Sequence, residues 1–333
     1  MEDAGDRYPQ LLLSDRNPWW RPVLGVLFFV VCLVSASAAV IVAALVARAA
    51  TSGSVDLDNA SLPIDSPIGL LANNLVLAAL IPAAALSVLV VHRRPIGVLA
   101  SVVGRVRWGW LLRLLGVALG VMVLSLVASL LLPGEASDDL TVPPAGQLTG
   151  LIVVILLTTP LQSAGEEVGF RGYLTQAVAS WSRRPLVGTV VAAAVTSVLF
   201  ALAHGVQDPA LFLDRLAFGV TASWLAWRTG GLEASVALHV VNNLVALLFS
   251  ASTGQLEDSI TGSTLPWSVA ALDVATMVVY AALVHRLADR RSVEVERVAA
   301  TRHALSGPGE VGYPGPRPPA PPPAGGDNPW GMG

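Results

Sequence analysis

Eight stretches of the 333-residue chain keep apolar side chains running long enough to cross a hydrocarbon core. About 20 helical residues span the ~30 Å involved. The stretches run approximately from 23 to 47, 68 to 91, 109 to 132, 147 to 164, 186 to 203, 210 to 228, 232 to 250 and 267 to 286. This pattern predicts an all-α, polytopic membrane protein with about eight transmembrane helices. The fourth through seventh stretches are the least regular, because polar residues interrupt them or their connections are very short. Pro160 and Gly165 bracket the end of the fourth as drawn.

Composition agrees. At 54% hydrophobic and 13% charged, the chain is far from a soluble domain, in which roughly a quarter of residues are charged. All 20 basic residues are Arg, and the richness in Ala, Val and Leu suggests a high-GC bacterial source. The net charge of -3 says little about partners, and nothing points to nucleic acid. The single Cys32 excludes an intrachain disulfide or a multi-thiol metal site, which leaves it a packing or lipid-facing residue.

Arginines set the orientation. Arg16 and Arg21, Arg93 to Arg107, Arg171 to Arg184, Arg228, and Arg286 to Arg291 fall on one side of eight crossings. The opposite loops at 51–66, 133–147 and 251–266 hold acids and no Arg; Arg48 and Arg215 are the exceptions. The positive-inside rule then puts both termini in the cytoplasm, with the chain in the cell membrane. The first apolar run is too long for a signal-peptide core of roughly 7 to 15 residues, so it reads as a retained anchor.

The expected organisation is a cytoplasmic segment 1–22, a variable region 23–144 with three helices, a core 145–252 with helices four to seven, an outer loop and eighth helix 253–287, and a cytoplasmic tail 288–333. Within the tail, Asp289 to His303 could extend as a short helix, while Ser306 to Gly333 is rich in Pro and Gly and reads as disordered or polyproline-like.

Three polar patterns lie in the least regular stretches: Glu166-Glu167-Val168-Gly169-Phe170-Arg171, Phe200 with His204, and His239 with Asn243. Ionisable groups at membrane depth are costly and usually face a protein interior or a wet cavity. On a helix, Glu167 and Arg171 are four apart in the favourable order for an ion pair. Glu166 is turned about 100° from its neighbour by the helical period, which leaves it able to face substrate or water. Interfacial acids beside a snorkelling Arg explain that motif equally well. His204 at a helix end could cap it, and His239 and Asn243 could tie helices together through hydrogen bonds worth ~0.6 to 2 kcal/mol each. Asn73, Asn74, Arg113, Asp214, Arg215 and Asp273 are further polar groups at membrane depth.

Together, in this order and spacing, the three motifs resemble the signature of the CPBP family, the CAAX proteases and bacteriocin-processing enzymes, which includes the type II CAAX prenyl endopeptidases. Its E-E-x-x-x-R, F-x-x-x-H and H-x-x-x-N patterns are matched by Glu166-Glu167 with Arg171, Phe200 with His204, and His239 with Asn243. The resemblance covers about residues 145 to 252 and implies a CPBP-type catalytic core and an intramembrane endopeptidase. The implied partners are membrane lipid and a protein or peptide substrate, lipidated or not; oligomeric state is open. A prenylated CAAX peptide and a bacteriocin leader are both compatible substrates, and the high-GC bacterial composition makes the prenylated one the weaker expectation.

Peptide hydrolysis needs an activated water, a group that moves its proton, and donors aimed at the developing oxyanion. Glu166 suits the base, His204 can position the water, and His239 with Asn243 can stabilise the intermediate. Glu167, Arg171 and Phe200 are the supporting residues. Alternatively Glu166, His204 and His239 form a three-ligand zinc set. The chain lacks H-E-x-x-H, and the resemblance leaves both the metalloprotease and the metal-free glutamate mechanism open.

A proton- or ion-coupled transporter is a competing reading, though the first three stretches lack counterparts to the motifs. A non-catalytic immunity or binding protein of the same fold is another. One geometric conflict also follows from the limits above. Glu166 at the inner end of the fourth stretch and His204 at the outer end of the fifth stand too far apart to share a site. Either the fourth helix continues past Arg171, or the core helices are tilted and broken.

Overall fold

Within a bilayer, peptide groups that cannot reach water must bond to one another, and a helix does this within one segment. The computed structural model describes residues 6–13, 18–52, 62–131 and 142–297, and each of the eight apolar stretches is helical there. They are α1 (Trp20–Ser52), α2 (Pro67–His92), α3 (Trp108–Ser129), α4 (Ala145–Ala179), α5 (Pro185–Leu202), α6 (Pro209–Thr229), α7 (Glu233–Thr253) and α8 (Trp267–Arg291). Among the described residues, seven helices are long and apolar enough to cross a membrane, so the chain is an all-α, multi-pass membrane protein. The helix outside that group is α6, which carries Asp214, Arg215 and Arg228.

The chain ends decide how α6 counts. A two-residue strand β1 (Asp6–Arg7) pairs antiparallel with β2 (Glu296–Arg297). Arg7 Nε lies 3.2 Å from Glu296 Oε1, and Arg297 Nη2 lies 2.8 Å from Asp6 Oδ2. The described segments before α1 and after α8 therefore meet on one side, which an even number of crossings requires. Seven apolar helices supply an even number only if α6 also traverses.

The same pairing corrects the expectation for the tail. The eighth helix stops at Arg291, where Ser292 turns into the left-handed region at φ 47°, and the following residues form β2 instead of helix. From residue 298 onward, including the Pro- and Gly-rich stretch, the chain lies outside the described residues.

The largest correction concerns the fourth helix. Pro160 lies inside α4, and the helix passes through Gly165 to Ala179, 35 residues in all and ~52 Å long at 1.5 Å per residue. Glu166 therefore sits near mid-helix, and the conflict with His204 was a product of ending the helix early. Val168–Leu174 is wound as a π-helix, a local widening that is common at functional sites. Gly165 permits a close crossing: a Cβ there would come 2.5 Å from the Leu77 carbonyl oxygen of α2.

Two apolar clusters hold the bundle. One joins Leu114 of α3, Phe200 of α5, Phe218 of α6, Leu238 of α7 and Tyr280 of α8. The other joins Phe29 of α1, Leu80 of α2 and Tyr173 of α4 with Tyr8, Leu11 and Leu12, which are buried ahead of the first crossing. Tyr8 Oη donates to the Leu99 carbonyl at 2.5 Å. On the same side as the chain ends, Arg107 before α3 clamps the start of α7: its Nε and Nη2 donate to Glu233 at 2.9 and 2.6 Å. Its Nη1 donates to the Glu294 carbonyl at 3.0 Å, which ties the segment leading into β2 to the same clamp.

Candidate active site

The polar motifs converge where α4, α5, α6 and α7 meet. Glu167 and Arg171 are both wholly buried, and Arg171 Nη1 donates to Glu167 Oε1 at 3.0 Å. The remaining Arg171 nitrogens, Nε and Nη2, have no hydrogen-bond partner. The aromatic surroundings explain this. The guanidinium carbon lies 4.1 Å from the ring centre of Phe200, 5.5 Å from Phe218 and 5.9 Å from Phe170, so ring faces take the place of acceptors.

His239 reaches both acids from α7. Its Nδ1 is 2.9 Å from Glu167 Oε1, and its Nε2 is 3.3 Å from Glu166 Oε2. The Nδ1 contact is a hydrogen bond and the Nε2 contact an ion-pair distance. Two acids, one guanidinium and one imidazole are thus buried as mutual partners, as ionisable groups taken out of water must be. Phe218 packs edge-on to His239 with ring centres 4.7 Å apart.

His204 lies two residues beyond the end of α5 and is exposed. Its ring packs edge-on against Phe200, with centres 4.7 Å apart. Its Nδ1 is 2.7 Å from the Phe200 carbonyl, which can only accept, so Nδ1 holds the proton and Nε2 of the neutral ring offers a lone pair. His204 makes no direct hydrogen bond to Glu166 but stands within electrostatic reach of it, as does Arg215 of α6. Arg215 Nη1 is held by Gln207 Oε1 at 2.9 Å.

Asn243 of α7 stands one helical turn from His239, and its Nδ2 donates to Gln162 Oε1 and to Ser163 Oγ, both at 3.2 Å. Gln162 Nε2 donates in turn to Glu166 Oε2 at 2.6 Å. The structure therefore gathers Glu166, Glu167, Arg171, Phe200, His239 and Asn243 into one network and sets His204 at its edge.

Sequence reasoning missed Gln162 and Ser163. The available signal was spacing, because Thr159, Gln162, Ser163 and Glu166 fall at i, i+3, i+4 and i+7 on one buried face of α4. The other membrane-depth amides have a structural account. Asn74 of α2 donates to Thr158 and Thr159 of α4 at 2.9 and 3.3 Å.

The donor set suits a catalytic zinc only in part. Glu166 Oε2 and His239 Nε2 have a spacing that two ligands of one ion could share, and Glu167 backs His239 as an outer carboxylate would. Among the described residues, however, no three His, Cys, Asp or Glu side chains converge on a point that could hold a metal. His204, the expected third ligand, makes no direct hydrogen bond to Glu166 or His239 and stands outside their group. The three-ligand set does not fit this arrangement.

Comparison with known proteins agrees with where the geometry is concentrated. An uncharacterized protein of Bacillus subtilis (strain 168), YyaK, is 28% identical over 107 residues, which cover 32% of this chain and 36% of that protein. The chain thus spans little more than a third of the length of that curated relative. No solved structure gives a significant match. Residues 148–245, the stretch that holds all three motifs, match the Rce1-like family, described as type II CAAX prenyl endopeptidase Rce1-like, and it is to this family that the site-bearing core is similar.

Proposed function

We propose that this chain is an intramembrane endopeptidase that hydrolyses a peptide bond of a membrane-associated protein or peptide, with Glu166 as the base. The observation that carries the reading is the contrast between the two neighbouring acids. Glu167 is wholly buried and held by the Arg171 cation and by His239, while Glu166, 6% exposed, has no Arg171 contact and stands within electrostatic reach of the exposed His204.

In this reading water enters beside His204, whose free Nε2 orients it, and Glu166 takes its proton as the oxygen attacks the scissile carbonyl. Proton transfer neutralises Glu166 and weakens its hold on the Nε2–H of His239, 3.3 Å away. That donor becomes available as negative charge develops on the carbonyl oxygen, which is when a stabilising donor lowers the barrier. Asn243 assists by exchanging one of its Nδ2 bonds, to Gln162 or Ser163, for the same oxygen. Glu166 then returns the proton to the leaving amine. No step is routed through a metal. Both termini are assigned to the cytoplasm, because the arginine-rich loops lie on the side where the chain ends pair.

The test uses the purified chain in detergent with two probes: a farnesylated peptide ending in a Cys-aliphatic-aliphatic-X sequence, and an unprenylated apolar leader peptide. Cleavage of either by the wild type, lost in Glu166→Gln and reduced in His204→Ala at unchanged melting temperature, supports the reading. Full activity in a well-folded Glu166→Gln protein overturns the assignment of the base.

A further inference from the structure

Glu166 faces a mechanical problem. The π-helical segment begins two residues after it, at Val168, so the backbone on that side is wound in a less common and looser geometry. Its carboxylate is not held by the Arg171 ion pair, which belongs to Glu167. A general base needs its lone pair directed to within a few tenths of an ångström, because a displacement of about 1 Å can cost about a hundredfold in rate. His239 Nε2 approaches it from α7 at 3.3 Å, and within α4 the regular α-helical side is the one that can fix its direction.

We propose that Gln162 is the positioning residue of Glu166, coupling its carboxylate to Asn243 of α7 through a one-way chain of amide hydrogen bonds. The proposal rests on the proteolytic reading above for its kinetic consequence, but not for the chain itself. Gln162 lies one turn before Glu166 on α4, is 6% exposed, and donates from Nε2 to Glu166 Oε2 at 2.6 Å.

The direction of the chain follows from chemistry. An ionised carboxylate can only accept, so the amino group of Gln162 must face it and the Oε1 must point away. That oxygen meets two donors, Ser163 Oγ at 3.1 Å and Asn243 Nδ2 at 3.2 Å. With its amino group turned to Gln162, Asn243 presents Oδ1 to the Nδ2 of Asn242, 3.3 Å away. Donation runs from Asn242 to Asn243 to Gln162 to Glu166, and each bond polarises the next in the same sense. Any other orientation of the Gln162 amide would set oxygen against oxygen at Glu166. The chain also makes the carboxylate responsive to α7. When Asn243 gives up a bond in order to donate elsewhere, Gln162 and Glu166 feel the change.

The decisive variants are Gln162→Met, close in shape but without donors, and Gln162→Glu, close in shape with an acceptor facing the carboxylate. With the farnesylated peptide as probe, both are expected to lower kcat about 10- to 100-fold while KM stays within about twofold. Gln162→Met and Asn243→Leu should be non-additive in kcat, the double variant falling no lower than the worse single. A purely structural role predicts instead fewer folded molecules with kcat per folded molecule unchanged, and that result overturns the proposal.

A second readout needs no activity. Hydrogen bonds to a charged acceptor are about twice as strong as neutral ones, so the melting shift caused by Gln162→Met should fall to about half in a Glu166→Gln background. Equal shifts in the two backgrounds overturn the proposal. If the wild-type chain cleaves neither peptide, the proteolytic reading fails separately, and this stability cycle alone decides the role of Gln162.

Discussion

Replacing Arg171 by Met should be among the most damaging single changes in the core. Both partners of the Arg171–Glu167 pair are wholly buried, so removing the cation leaves Glu167 charged in a low-dielectric site with His239 as its remaining counter-ion. Breaking a buried pair from one side costs about 3 to 5 kcal/mol. The guanidinium also lies 4.1 Å from the Phe200 ring centre, a desolvated cation–π contact worth about 2 kcal/mol. These overlap rather than add, and a net loss of about 4 to 6 kcal/mol compares with a total stability of about 5 to 15. At about 2 °C per kcal/mol for a chain of this size, the melting temperature in detergent should fall by about 8 to 12 °C.

The companion variants test the cause. Arg171→Lys keeps the charge but loses the flat guanidinium over Phe200, and about 3 °C of loss is expected. Glu167→Gln combined with Arg171→Met removes both charges while leaving an oxygen for His239 Nδ1, and it should recover most of the stability lost in the single variant. The assay is thermal unfolding of the purified chain, followed by size-exclusion retention. An Arg171→Met protein that melts with the wild type would refute the reasoning. So would a double variant no more stable than the single, because uncompensated burial would then not be the source of the loss.

Glu233→Gln should loosen the clamp on Arg107, costing about 1 to 3 kcal/mol and speeding proteolysis of the segment around Glu294; unchanged digestion would count against the clamp. Gly165→Val should force α2 and α4 apart at Leu77 and cost about 1 to 3 kcal/mol, with cleavage falling more than stability because Glu166 is the next residue; a normally active variant would show that the close crossing does not set the site. Asn74→Leu should destabilise by about 1 kcal/mol, since Asn74 bridges Thr158 and Thr159 from α2; its melting should shift while KM does not. Purified protein should bind well under one equivalent of zinc, with cleavage surviving a zinc chelator; stoichiometric zinc lost on His204→Ala would restore the three-ligand reading.

What could be read from the sequence was what a single helix encodes. The Glu167–Arg171 pair and the one-turn spacing of His239 and Asn243 are set by helical periodicity, and the contact of Phe200 with His204, just past the end of α5, is equally local. The eight helical stretches were legible for the same reason, since apolar length is local too. The end of the fourth helix was misread because Pro160 and Gly165 are breakers in water. Here α4 runs on through both, and Gly165 serves α2 as a crossing point.

Gln162 escaped notice for a different reason. Spacing puts Gln162 on the face of Glu166, but it does not distinguish a glutamine that orients a carboxylate from one that merely tolerates an interior. The difference lies in what stands opposite, and that is Asn243, 81 positions along the chain. The surroundings of His239 were hidden on the same ground. Spacing pairs it with Asn243, but the fold also brings a carboxylate to each of its nitrogens, at 2.9 and 3.3 Å. Roles that depend on a neighbour's charge are set by helix contacts, and in this protein the contact between α4 and α7 sets most of them.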